Sequence, residues 1–169
     1  ERGVLDGGFA VGVIPAHRAS GSLRYERLFG ETMRLYAGAG HPLFDQEHAT
    51  LDWKALRARA DFAGLGYHSP NLELAHARHL QRGATAFDQE AIATLILSGR
   101  FVGFLPDHYA DAFVQRGQLR AVAPATLHYA CDFVSVLRRS PQPARAALAF
   151  QQALRAAHAP AHPPPSGRS

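Results

Sequence analysis

Residues 88–106 read DQEAIATLILSGRFVGFLP, and this stretch decides the class of the fold. Asp88 suits the position before a helix, where a carboxylate accepts hydrogen bonds from backbone N–H groups that have no intrahelical partner. Ala91, Ile92, Leu95 and Ile96 recur at helical spacing and form one apolar face, and Ser98-Gly99 supply the stop. The apolar run from Phe101 to Leu105 is too short for another helix, and Pro106 removes the next donor. Helix, glycine stop, buried strand and proline in that order make the second half of a βαβ crossover.

Outward from this unit, residues 5–14 read as a buried strand closed by Pro15, and residues 26–37 as a second, reached through a turn at 19–22. Thr50 suits an N-cap for a short helix through Leu51, Trp53 and Leu56. A short strand at 62–65 follows. Ser69-Pro70 is a strong helix start, and Leu72, Leu74, Ala75 and Leu80 carry that helix to Gly83. Residues 85–87 read as a strand, 108–115 as a helix ended by Gly117, 127–137 as the last strand and 144–157 as the last helix. Residues 158–169 are proline-rich and cannot pack a core, so a disordered tail is expected. Alternating strands and helices place the chain in the α/β class with mainly parallel strands.

The 169 residues carry a net charge of +4, but the arginines are scattered, Lys54 is the sole lysine, and only Arg138 and Arg139 adjoin. That pattern is a solvated surface rather than a nucleic-acid face. Cys131 is the single cysteine, which excludes an intrachain disulfide and a cysteine metal cluster and agrees with a reducing compartment. The apolar stretches are far shorter than the roughly 20 residues a bilayer requires, so no membrane contact is expected. Residues 1–6 lack the layout of a secretory signal, which points to the cytoplasm.

Three segments and a C-terminal helix resemble the LysR-type transcriptional regulators. GVLDGGFAV at 3–11 resembles the "GxLDxai" strand of their effector-binding domain, LYAGAGHPL at 35–43 its "HPL" strand and loop, and the opening stretch its "aaGxGiaxLP". SPQPARAALAFQQAL at 140–154 resembles the family's closing "spxxraFxxfL" helix. Phe101 stands where the family usually has a second glycine. The resemblance implies a type 2 periplasmic-binding-protein-like fold of two Rossmann-like lobes joined by two crossing strands. On that map residues 1–38 and 126–157 form the first lobe, incomplete because the family's winged helix-turn-helix and first βα units are absent, and 39–125 form the second. The implied function is ligand sensing: a small-molecule effector in the cleft between the lobes, a homodimer or tetramer, and DNA contacted only through the absent N-terminal domain. The alternatives are a periplasmic solute-binding protein of the same fold and an enzyme on that fold.

For the site, the helix N-terminus at Ser69 offers N–H groups and a dipole to a ligand, with Tyr67, His68, Ser69 and Asn71 at its mouth. The bland alternative is that Ser69 only caps its helix. Asn71→Ala is therefore expected to weaken binding with little loss of stability. Val11, Val13 and Ile14 end the first strand and present an apolar wall, which favours a hydrophobic or aromatic effector. The crossing strand adds Tyr129 and Cys131 as ligand-facing candidates, although a lone cysteine in a strand is more often a small buried apolar residue. His76 and His79 could share a helical face, yet they have no third ligand at matching spacing, and His158 and His162 of the tail offer no better set. No metal or other cofactor is expected, and no nucleophile elbow, phosphate loop or paired carboxylates mark a catalytic residue.

Overall fold

The computed structural model describes residues 1–16, 19–46, 51–67 and 69–159. The chain divides into two compact units, one formed by residues 1–30 with 132 onward and the other by Glu31–Cys131. Strands β2 (Leu23–Gly38) and β7 (His128–Arg138) each run through a point of division.

In the first unit, α1 (Arg2–Leu5) is a single turn and β1 (Gly12–Pro15) pairs antiparallel with β7, Gly12 opposite Val136 and Pro15 opposite Phe133. The continuous strand expected at 5–14 is therefore corrected. Val4 and Leu5 donate to the Glu1 carbonyl, Asp6 donates to Arg2, and Gly7 at φ +79° turns the chain. A two-residue apolar run beside glycines has no period of its own, and here burial of Val4 with Leu23, Val134 and Val136 selects the helical turn. The closing helix α6 (Arg145–Ala157) carries Gln151, 3% exposed, whose Nε2 donates to Ser135 Oγ at 2.9 Å and whose Oε1 accepts from Arg24 at 2.8 Å. Both ends of this buried amide are satisfied, as burial requires.

The second unit holds α2 (Trp53–Arg59), β3 (Asp61–Leu65), α3 (Pro70–Ala77), β4 (Arg82–Ala86), α4 (Gln89–Leu97), β5 (Phe101–Pro106), α5 (Asp107–Gln115) and β6 (Leu119–Ala121). Strand β3 lies parallel to β4 on one side and to β5 on the other. The end of β2 pairs antiparallel with β5 and, on its other edge, with β6. Helix α4 leads from β4 to β5, both parallel to β3, which is the crossover the opening stretch implied; β2 and β6 bring antiparallel pairs, so the expectation of mainly parallel strands is corrected to the β4-β3-β5 set. Asp88 caps α4 by accepting from Ala91 N at 2.7 Å, and Ile92, Ala93 and Ile96 are buried with Ala63, Leu65 and Leu105. The close approach of helix and sheet falls at Gly103, where a Cβ would meet Ile92 and Ile96 at 3.0–3.1 Å. Phe101, at the position of the family's second glycine, packs half-buried against the same cluster.

Two helix bounds differ from expectation. The first helix of this unit starts at Trp53, capped by Asp52 accepting from Ala55 N at 2.8 Å; Thr50 lies outside the described residues. Helix α3 ends at Ala77 rather than Gly83 because His79 takes φ +53° and Leu80 N donates to Ala75 O at 2.9 Å, a left-handed C-terminal cap built on histidine instead of glycine. His76 and His79 consequently share no helical face. His158 is the C-cap of α6, with its ring centroid 4.6 Å from that of Phe29, and residues 160–169 lie outside the described residues.

Candidate ligand-binding site

Parallel strands leave their carboxyl ends and the following helix N-termini on one edge of a sheet, which is where ligands bind in open α/β folds. In the second unit that edge begins at Gly66 and Tyr67, after β3. Ser69 is the N-cap of α3, with φ −160° and ψ 159°, and its Oγ accepts from Leu72 N at 3.3 Å. Pro70 follows as the first helical residue. The hydroxyl oxygen thus serves the cap, and Ser69 itself is only 4% exposed.

Asn71 is the more informative residue. It is 2% exposed, its Oδ1 accepts from the buried Leu65 N at 3.4 Å, and its Nδ2 is turned to the phenol oxygen of Tyr129 without making a hydrogen bond of normal geometry. The expectation that Asn71→Ala would spare stability is corrected by this burial and by the bond that ties α3 to β3. A buried donor with a poorly formed hydrogen bond costs free energy, so its retention invites a functional explanation.

Tyr129, on β7, is the neighbour of that amide. Burial pushes its phenol well above the ordinary range, the Asn71 side chain partly opposes this, and Cys131, Tyr67 and Glu31 add smaller upward contributions. The phenol is held neutral and can donate. Its ring meets Phe104 edge-on at 5.1 Å, Phe104 contacts Phe62 at 5.8 Å and Trp53 at 6.2 Å, and the Arg78 guanidinium lies 5.0 Å over Trp53. This aromatic series fixes the ring of Tyr129 from behind. Toward solvent the rim is Tyr67, 42% exposed, and Phe87, 71% exposed, whose ring covers Gly66 so closely that a Cβ there would lie 2.9 Å from it. Burial raises the Tyr67 phenol as well, reinforced by Asp88 and Cys131.

Of the residues expected from sequence, the structure gathers Tyr67, Asn71, Tyr129 and Cys131 in the second unit, with Ser69 beside Asn71 in the chain; His68 lies outside the described residues. Cys131 is buried at 6% exposure. Val11, Val13 and Ile14 belong to the first unit, where Val11 precedes β1, Val13 is 45% exposed and Ile14 lies opposite Val134. Phe104, Trp53, Arg78 and Phe87 were not among the expected residues. Phe104 sits inside an apolar strand and carries no local mark of a partner, whereas an exposed phenylalanine next to the Asp88 cap is the kind of signal a sequence can show. Ser69 Oγ is engaged by the N–H of Leu72 in its own helix.

The LysR substrate binding domain model matches residues 1–159. The HTH-type transcriptional activator BauR of Pseudomonas aeruginosa is 38% identical over 143 residues, covering 85% of this chain and 47% of that protein. The chain thus spans about half the length of this curated relative. Among solved structures, the bromide-bound regulatory domain of HypT from Salmonella typhimurium superposes with a TM-score of 0.71 at 13% identity, over 93% of this chain and 76% of that one. The reduced OxyR regulatory domain from Pseudomonas aeruginosa gives 0.69 at 17% identity, over 92% and 76%. These likenesses give the fold, that of the type 2 periplasmic-binding-protein-like regulatory domains. With the sequence match extending from the first residue to the end of α6, the chain belongs to the LysR substrate-binding domain family.

Proposed function

We propose that the chain is the ligand-sensing part of a LysR-type transcriptional regulator and that its effector is held in the second unit, at the carboxyl edge of β3. The observation that carries this reading is the buried Asn71 amide, whose Nδ2 engages the neutral phenol of Tyr129 without a hydrogen bond of normal geometry. A ligand carbonyl or carboxylate oxygen would accept from both donors, while Tyr67 and Phe87 offer an aromatic rim to an apolar or aromatic body. The effector acts by differential affinity for two arrangements of the regulator, not by being transformed. The protein carrying this domain would bind DNA through a helix-turn-helix, as the name of BauR says of that relative, and would work in the cytoplasm as a homo-oligomer.

A thermal-shift screen with small aromatic and aliphatic acids, followed by calorimetric titration of each hit, tests the site. Tyr129→Phe keeps the ring packing and removes one donor, so binding is expected to weaken by about tenfold. Undiminished binding by Tyr129→Phe would remove this edge from consideration. Hydrolysis or other turnover of a hit would favour the enzyme alternative.

A further inference from the structure

The opposite edge of the same parallel strands carries a second concavity. It measures about 420 Å³ and lies where the chain enters β3, β4 and β5, lined by His41, Arg57, Asp61, Gln81, Gly99 and Arg100 among others. His41 is 5% exposed, and its Nδ1 accepts from Leu43 N at 3.0 Å. An imidazole that accepts at Nδ1 must carry its proton at Nε2. Among the described residues that Nε2–H has no hydrogen-bond partner, and His41 lines the concavity. A second proton on Nδ1 would oppose the Leu43 N–H, so the ring stays neutral and is a fixed donor. Burial acts in the same direction.

The charges around this donor are specific. Arg100 is paired with Asp61 at 3.3 Å, while Arg57 has no acidic partner among the described residues. With His41 neutral, the two guanidinium groups and one carboxylate among the described lining residues leave a single positive charge. Gly99 sets the wall: it has φ +72°, and a Cβ there would lie 2.7 Å from Ala39 O, so only glycine lets the α4–β5 turn close against the loop that presents His41.

The geometry points to a second ligand site in this domain, for a small monocarboxylate held by the Arg57 guanidinium and the His41 Nε2–H. One negative charge matches the unbalanced positive charge, and a planar carboxylate matches the guanidinium fork. The carboxylate of Asp61 in the same wall repels a dianion, which disfavours phosphate.

The test is NMR titration of the intact chain with sodium acetate against sodium chloride at equal ionic strength, reading the His41 Nε2 resonance and the Gly99 and Arg100 amides. Acetate is expected to produce saturable shifts at these three positions, with an affinity reduced by about tenfold or more in Arg57→Gln, whose exposed side chain can change without disturbing the core. An unsaturable response, or one equal in Arg57→Gln, would overturn the site. Tighter binding of inorganic phosphate than of acetate would overturn the monocarboxylate assignment.

Discussion

Asn71 and Ser69 lie two residues apart and fail differently when cut back to alanine. Ser69→Ala removes the cap bond to Leu72 and should lower stability by about 1 kcal/mol. Asn71→Ala strips the acceptor from the buried Leu65 N–H, which should cost about 1–3 kcal/mol, softened by removal of the poorly paired Nδ2. Urea unfolding of both variants checks the pair, and an Asn71→Ala protein as stable as the parent would mean that water serves Leu65. His41 makes a pH prediction. Burial lowers its pKa from the ordinary 6.5, with Asp61 opposing, so the folded state resists the proton that the unfolded chain accepts. Its contribution to stability is therefore whole above about pH 6.5 and lost as pH falls toward the depressed folded value. The charged groups that line the same concavity are Arg57, Arg100 and Asp61. His41→Asn can retain the turn, since an asparagine oxygen accepts from the N–H two residues on, and urea midpoints between pH 7.5 and 5 should fall less steeply in that variant.

At the scale of the elements, the clearest prediction concerns Gly38, at the end of β2. A Cβ there would lie 2.1 Å from Ile96 O, against helix backbone that cannot yield as a side chain can, so Gly38→Ala should destabilise by about 3 kcal/mol. A thermal midpoint within a degree or two of the parent would show that α4 can shift outward. The elements also show how far the sequence could be read. Residues 88–106 were legible because cap, periodicity, glycine and proline all agreed, and α4 and β5 follow them closely. The end of α3 was not, because a histidine in the left-handed conformation carries no compositional mark. Nor was α1, whose helical turn is selected by burial of Val4 against residues distant in sequence. The Ser69 cap could be read locally, but the contact of Asn71 with Tyr129 joins positions far apart in the chain, and spacing says nothing about such a meeting. Phe104 was seen as core, and its second role in backing Tyr129 depends on the same long-range contact.

For the molecule as a whole, strand β1 is paired only with β7 among the described residues, and Val13 is 45% exposed on it. An unpaired strand edge with an apolar residue is a template for association. Sedimentation over a hundredfold dilution should show concentration-dependent assembly, weakened by Val13→Lys; a single species near the 18.3 kDa chain mass throughout would show that the edge is inert. The unequal continuity of the two units has a kinetic consequence. The second unit is one unbroken segment in which β3 pairs with β4 across a single helix and with β5 some 40 residues on, whereas the first must bring residue 12 beside residue 136. Closing so long a loop carries an entropic cost that short crossovers avoid, and contacts between sequence-distant strands form slowly. Pulse-labelling hydrogen exchange during refolding should therefore find the β3 and β5 amides protected before those of β1. The chain would thus acquire the edge proposed to hold the ligand while its two ends are still searching for each other.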